Sequence, residues 1–414
     1  LKNMLKSGRL DIFLIELLSV LSHCFKGNKI SLKLNKILLL YISSFIFVFA
    51  QSKVDGRITD KKSGEPLVGV NIFFSKTTWG TTTDNNGFYS IKNIPYGKYE
   101  MIISMIGYEL IKQDAIVFDN ERISMNFRLI PEPIQMNEVI VTAKSNKRWK
   151  KNLAIFDRVF LGESKNGRSC KMINEYVLSF QIEGGALHAT ASQPLEIENS
   201  SLGYRIKYYL DEFTVDNSYI RYSGDSFFVK MESKSERQRR KWEKNRKVAY
   251  KGSLRHLLTT LGDRFNARFN IQDDEVNQKW NWSMIAGRRK DPLIKEGFDI
   301  FINPSFDRNY DRTRFRPIKM DTLVFQGSHP ENLLLSFTGK MLFRYRYESE
   351  ELNYTMNNRF RTQPHEQTSF ILLKKGIVSF DRKGRYFDPF MIEQQGYSAW
   401  ERVGDQLPFD YEPE

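Results

Sequence analysis

The chain has 414 residues, 41% of them hydrophobic and 14% aromatic, which suffices for two or three domains with their own cores and excludes a disordered polymer. Its net charge is +14, but residues 1–50 hold seven Lys/Arg against two Asp/Glu, leaving +9 on the remainder (56 basic, 47 acidic), a basic surface of moderate strength. Past residue 50 only Cys170 remains, which excludes an intramolecular disulfide there and fits a buried structural cysteine better than a catalytic thiol.

Residues 37–50 form an apolar run preceded by Lys33 and Lys36 and ending Val48-Phe49-Ala50, the pattern of an export signal cleaved before Gln51. The run is shorter than the roughly 20 residues of a membrane span, and an uncleaved anchor is the alternative. No Cys follows it, which argues against lipid anchoring at this point. A second apolar run, residues 12–21, lies upstream, so translation is expected to begin near Leu32.

Residues 54–127 predict one small β-sandwich. Val70, Ile72 and Phe74 alternate with Asn71, Phe73 and Ser75, and Tyr99, Met101, Ile103 and Met105 repeat the period of two that turns one strand face to a core. Thr83-Asp84-Asn85-Asn86-Gly87 reads as a hairpin connection, with Asp84 accepting backbone N–H groups and Gly87 free to take positive φ. Pro95-Tyr96-Gly97-Lys98 is a second turn, and Gly107 a bend before a strand near residues 116–118.

The runs Gly56-Arg57-Ile58-Thr59-Asp60, Gly64-Glu65-Pro66-Leu67-Val68-Gly69-Val70-Asn71-Ile72, Gly80-Thr81-Thr82-Thr83-Asp84, Gly87-Phe88-Tyr89-Ser90-Ile91 and Ile106-Gly107-Tyr108 resemble the carboxypeptidase regulatory-like domain. The resemblance implies a prealbumin-like sandwich, appended to many Gram-negative envelope proteins including TonB-dependent receptors. It implies no catalysis, since in the carboxypeptidase that names the family this domain is not the catalytic part.

Pro131 and Pro133 mark a linker. The octapeptide Met136-Asn137-Glu138-Val139-Ile140-Val141-Thr142-Ala143 is similar to the segment after this domain in TonB-dependent receptors, though a final strand or plain linker accounts for it too. With about 270 residues left, a plug and a 22-stranded barrel at about ten residues per strand do not fit, so the chain is expected not to be such a receptor.

The expected organisation is an upstream extension and signal (1–50), the sandwich (51–130), a linker (131–144) and a larger strand-rich α+β region (145–414), mainly β with some helix overall. In the last region residues 149–160 predict a helix with Leu153, Phe156, Val159 and Phe160 on one face, and residues 176–182 an extended segment. Residues 202–231 predict aromatic-rich strands, with Tyr204, Ile206 and Tyr208 together and Gly224-Asp225 as the turn. Residues 232–265 predict helix; 323–326, 333–337, 340–347 and 369–380 predict strands; the tail, 396–413, is expected to dock through its aromatic residues. Phe160-Leu161-Gly162-Glu163-Ser164 and the stretch 401–411 resemble the ends of uncharacterised envelope proteins carrying the same regulatory-like domain, a resemblance that implies an architecture and no reaction.

The zinc carboxypeptidase pattern His-x-x-Glu, the zincin pattern His-Glu-x-x-His, a Gly-x-Ser-x-Gly elbow and a Walker loop are all absent from the sequence, and no metal or cofactor is expected. His365-Glu366 lacks a second histidine, while Asp273-Asp274 and the pair Glu348 and Glu351 read as solvated charges. An EF-hand at Asp84 fails for want of its terminal Glu. Between residues 230 and 251 ten Lys/Arg face three Glu, and Arg239, Arg240, Lys241, Lys244, Arg246 and Lys247 are candidates for contact with an anionic surface. For an exported protein lipid head groups are a more available partner than nucleic acid; a solvated helix face whose apolar side, continued by Leu254, Leu257, Leu258 and Leu261, packs on a sheet is the plain alternative. Two functions remain open: a non-enzymatic envelope protein, periplasmic or at the outer membrane, that binds a protein or glycan partner through the sandwich and the aromatic-rich region, and an envelope hydrolase with its site in 145–414.

Overall fold

The computed structural model describes residues 52–118, 121–132, 147–270, 291–303, 316–317, 323–357, 362–386 and 388–413. The signal, the octapeptide 136–143 and Asp273-Asp274 lie outside them.

The sandwich comprises β1 (Lys53–Asp60), β2 (Asn71–Phe74), β3 (Gly80–Thr82), β4 (Phe88–Lys92), β5 (Gly97–Ser104), β6 (Ile111–Val117), β7 (Arg122–Ser124) and β8 (Phe127–Leu129). One sheet runs β4-β1-β7 with β8 also on β1, and the other β3-β2-β5-β6. Val54, Ile58, Val70, Ile72, Phe74, Tyr99, Met101 and Ile103 fill the space between them, as the alternation predicts. The Asp84 turn also forms, its Oδ1 accepting from Asn86 N at 2.9 Å and Phe88 N at 2.8 Å, with Gly87 at φ 76°. It is no hairpin, however: β3 and β4 belong to opposite sheets, so the turn carries the chain across the core. Turn chemistry is local, whereas strand partners are chosen by which face each strand must bury.

What reads as one large region has two hydrophobic cores. The first packs α1 (Lys147–Leu161) on a sheet of β9 (Cys170–Met172), β10 (Leu178–Glu183), β11 (Ala186–Ala191), β12 (Leu195–Asn199), β13 (Tyr204–Val215) and β14 (Ile220–Lys230), in the order β10-β11-β13-β12-β9 with β14 along β13. Phe156 and Phe160 of α1 meet Phe213 and Tyr208 with ring centroids 4.6 and 5.0 Å apart. Gly224-Asp225 is not the hairpin turn; both residues lie within β14, opposite Leu210 and Tyr209. The turn is at Asp216, whose Oδ1 accepts from Ser218 N and Tyr219 N. Gly224 serves a close approach instead, since a Cβ there would lie 2.2 Å from the Tyr209 carbonyl oxygen, beside the bulge at residues 210–212.

The predicted long helix is two, α2 (Glu236–Tyr250) and α3 (Leu254–Asn270), broken at Gly252, which has φ 76°. Ser235 caps α2, its Oγ accepting from Gln238 N at 3.2 Å. The leucines of α3 enter the second core with side chains of α4 (Pro292–Lys295) and β15 (Phe298–Asn303), on which β16 (Arg316–Pro317) pairs, and of β17 (Val324–Gln326), β18 (Asn332–Ser336) and β19 (Lys340–Ser349), which α5 (Leu352–Met356) follows, then of β20 (Glu366–Leu373), β21 (Ile377–Asp381) and β22 (Ile392–Gly396). Its sheets run β16-β15-β19-β20-β22 and β17-β18-β21, so the predicted strand 369–380 is two strands in different sheets, parted at Gly376 with φ 70°.

The sandwich is docked as well as linked. Phe73 and Ile102, on the outer face of the β2–β5 sheet, are buried against Tyr209 and Phe227, Phe73 lying 5.1 Å from each ring. Lys76 N donates to Ser226 O at 2.6 Å and Phe228 N to Thr77 O at 3.0 Å, while the tail joins through Phe409 N to Lys76 O at 2.7 Å. Arg255 locks that tail by donating to the carbonyls of Pro408, Phe409 and Tyr411.

Candidate functional site

Where β14, the α2–α3 junction, β22 and the tail meet, they enclose a cleft of about 870 Å³, with Lys76 of the sandwich at its wall. This is within the ordinary size of a small-ligand site. Tyr222, Gly224, Ser226 and Phe228, on one face of β14, line the cleft together with Ile220, Arg221 and Ser223 near the strand's start, and Phe390, Gln394 and Gln395 line it from the C-terminal side. The guanidinium of Arg221 lies 4.0 Å over the Phe390 ring and pairs with Glu212 at 3.0 Å. Tyr219, 51% exposed, stands at the mouth.

One side of the cleft is formed by the tail stretch 401–411, which the loop after α1 braces from behind. Asp405 accepts from Ser164 Oγ at 2.7 Å and Asn166 Nδ2 at 3.0 Å, joining the tail to the loop after α1. Gly167 and Gly404 allow the contact, because a Cβ on Gly404 would fall 2.4 Å from the Gly167 Cα. Burial pushes the Asp405 carboxyl up to about 6 despite these donors. Burial, then Asp405, Glu348 and Glu351, pushes the neighbouring Glu401 carboxyl well above the carboxylate range, which favours its neutral form. Glu393 is paired with Lys374 at 2.5 Å. Spacing alone could not have found this site; its partial signal was the pair of distant motifs.

Other candidates fare differently. Trp242, Asn245, Arg246 and Ala249 form the inner face of α2; Arg246 donates to Leu202 O at 2.7 Å and stacks 4.2 Å over Tyr204, so it is turned inward, away from any surface contact. Arg239 pairs with Glu236 and Glu243, and Arg240 with Glu236, while Lys241, Lys244 and Lys247 are exposed. Glu348 is no solvated charge: burial pushes it up to about 7, and Glu351 accepts from Lys165 N at 3.0 Å. Cys170 is half-buried, donates to Asn166 O, and has its thiol pushed up to about 12 by burial. Among the described residues no three His, Cys, Asp or Glu side chains gather as a metal cluster, and no helix is long and apolar enough to cross a membrane.

The sandwich and its turn residues define a carboxypeptidase regulatory-like domain. The family model of the CarboxypepD_reg-like domain matches residues 54–141. Over 75 residues the chain is 43% identical to the TonB-dependent receptor P39 of Formosa agariphila, a match covering 18% of this chain and 7% of the receptor. Among solved structures, the group B streptococcus pilus 2b backbone protein matches at 16% identity over 20% of this chain and 41% of its own, with a TM-score of 0.17. A streptococcal ancillary pilin matches at 14% over 46% and 60%, with a TM-score of 0.19.

Proposed function

We propose that the protein is a non-enzymatic binding protein of the cell envelope that receives a glycan in the cleft, with the regulatory-like sandwich as a fixed wall of the site. The observation that carries this reading is the lining: rings that can stack on the C–H faces of sugars stand beside guanidinium and amide groups that can bond their hydroxyls. The sandwich face bearing Phe73 is covered, which moves the proposed binding surface from the sandwich alone to the cleft. Hydrolysis is less well supported, because glycoside cleavage ordinarily takes two carboxyl groups, and of the four in the cleft Asp405 and Glu393 tie the structure together and Asp216 holds its turn, leaving Glu401 without a second free carboxyl. Envelope residence rests on the export-signal pattern and the receptor relative.

Calorimetric titration with cellohexaose, laminarihexaose, chitohexaose and trigalacturonic acid tests the reading. At least one should bind, and Tyr219→Ala with Phe390→Ala should weaken it roughly tenfold, the order expected for lost aromatic contacts. No heat with any sugar, or release of new reducing ends, would overturn it.

The outer face of α2 is proposed to rest on anionic lipid. With Arg246 turned inward, six basic residues and two acidic ones remain on its outer side over Glu236–Tyr250, and each Lys/Arg near such a surface contributes about 1 kcal/mol. Binding to vesicles should require anionic lipid, weaken with salt, and fall when Arg239, Arg240 and Lys241 are changed to Gln. Equal binding to neutral vesicles would leave a solvated face.

A further inference from the structure

We propose that the cleft selects an acidic glycan and that Lys76, the one residue the sandwich places in the cleft wall, holds the carboxylate of the sugar. This rests on the cleft reading above and names its ligand class.

Lys76 is a lysine at φ 60°, a left-handed conformation that glycine or asparagine adopts at less cost. Both of its backbone groups are used, the N–H on Ser226 and the carbonyl on Phe409, so the turn is pinned between β14 and the tail. A turn needing only that geometry would be better served by a residue without a long charged side chain.

The side chain is also short of a counter-ion. Among the described residues its ammonium makes no ion pair, and its contact is with the Phe409 ring, 5.8 Å from the centroid. The charged groups around it are Asp225, Glu100, Lys112 and Asp388. Asp225 is already matched, accepting from Ser75 Oγ at 2.5 Å and pairing with Lys112 at 2.7 Å. Glu100 leans on Asp225, and burial with that neighbour favours its neutral acid form. Burial in turn pushes the Lys76 ammonium down, the state that a bound anion would relieve. Elsewhere in the cleft lining the tail adds the cation Arg402, and burial favours the neutral form of Glu401. A carboxylate entering this corner would therefore find an ammonium awaiting a partner and rings to carry its sugar.

The test is calorimetry of the full chain with trigalacturonic acid and with its methyl ester, at low salt. The acid should bind at least tenfold tighter than the ester. Lys76→Asn, which suits the left-handed backbone, should bring the acid down to the affinity of the ester and leave the ester unchanged; Lys76→Arg should keep part of the preference. Thermal melting of both variants should match the parent. Equal binding of acid and ester by the parent chain would overturn the acidic preference while leaving glycan binding standing, and a preference surviving in Lys76→Asn would overturn the role of Lys76. Inorganic phosphate binding as tightly as the trisaccharide would reassign the corner to a free anion. Absence of binding by every sugar would remove the glycan reading and this inference together.

Discussion

Replacing Ile72 with alanine is expected to cost the sandwich on the order of 2–5 kcal/mol, the usual range for truncating a fully buried Ile. Ile72 is fully enclosed on β2, between the β5 partner Ile103 and the opposite sheet. A domain of this size has only about 5–15 kcal/mol to lose at most, so the variant fragment 52–130 should be largely unfolded near its parent's melting temperature. The parent fragment should fold cooperatively by itself, because its own core holds Val54 through Leu129 without help from the rest. Docking adds a second expectation. Phe73 and Ile102 are buried only by Tyr209 and Phe227, so the fragment exposes an apolar patch and should self-associate, and Phe73→Ser should make it monomeric. Chemical unfolding followed by fluorescence, with sedimentation, checks both. A parent fragment without a cooperative transition would contradict the boundary.

The whole chain should lose stability as pH rises from about 5 to about 7 and change little further toward pH 8. Burial raises Asp405 and Asp157 to about 6 and Glu348 to about 7, each above its unfolded value. A carboxyl whose folded pKa is raised holds its proton more tightly in the native state, so its contribution is full below the unfolded pKa and is lost as pH rises through the folded one. Asp405, enclosed at the side of the cleft, contributes on the order of 3 kcal/mol by this linkage. His256 works the other way: burial, then Lys251, lowers it to about 4, so its contribution is present above about pH 6.5 and fades on acidification. Its Nδ1 accepts from Gly252 N at 3.1 Å, which suits the neutral ring. The three carboxyls outweigh it between about pH 5 and 7. Asp405→Asn keeps an oxygen for Ser164 and Asn166 without the charge, so the variant should melt higher than the parent at pH 8, and the gain should shrink as the pH is lowered through 5 toward 4. A lower melting temperature at pH 8 would overturn the assignment.

The α2 helix illustrates how far a linear reading reaches. Its charge pattern was legible, and so was the continuation into the α3 leucines, because helical spacing is a property of neighbours in sequence. That Arg246 would turn inward was not, since its partners Leu202, Gly203 and Tyr204 lie more than forty positions away. Gly224 misled for a related reason: a glycine beside an aspartate is a sound turn signal, and only the approach of Tyr208 and Tyr209 on the neighbouring strand makes it a strand residue.

The sequence by itself determined the sandwich, its core positions, its turn chemistry and its family resemblance, because each depends on period-two alternation and on residues a few positions apart. It also determined that the tail would dock, through aromatic residues too large to leave in water. The tertiary structure decided which sheet each strand joined, that the sandwich lies against β14, and that residues 222, 390 and 405 with Lys76 share one cleft. Those contacts join segments up to hundreds of residues apart, and they are settled by which exposed apolar faces find one another, a choice no local pattern encodes.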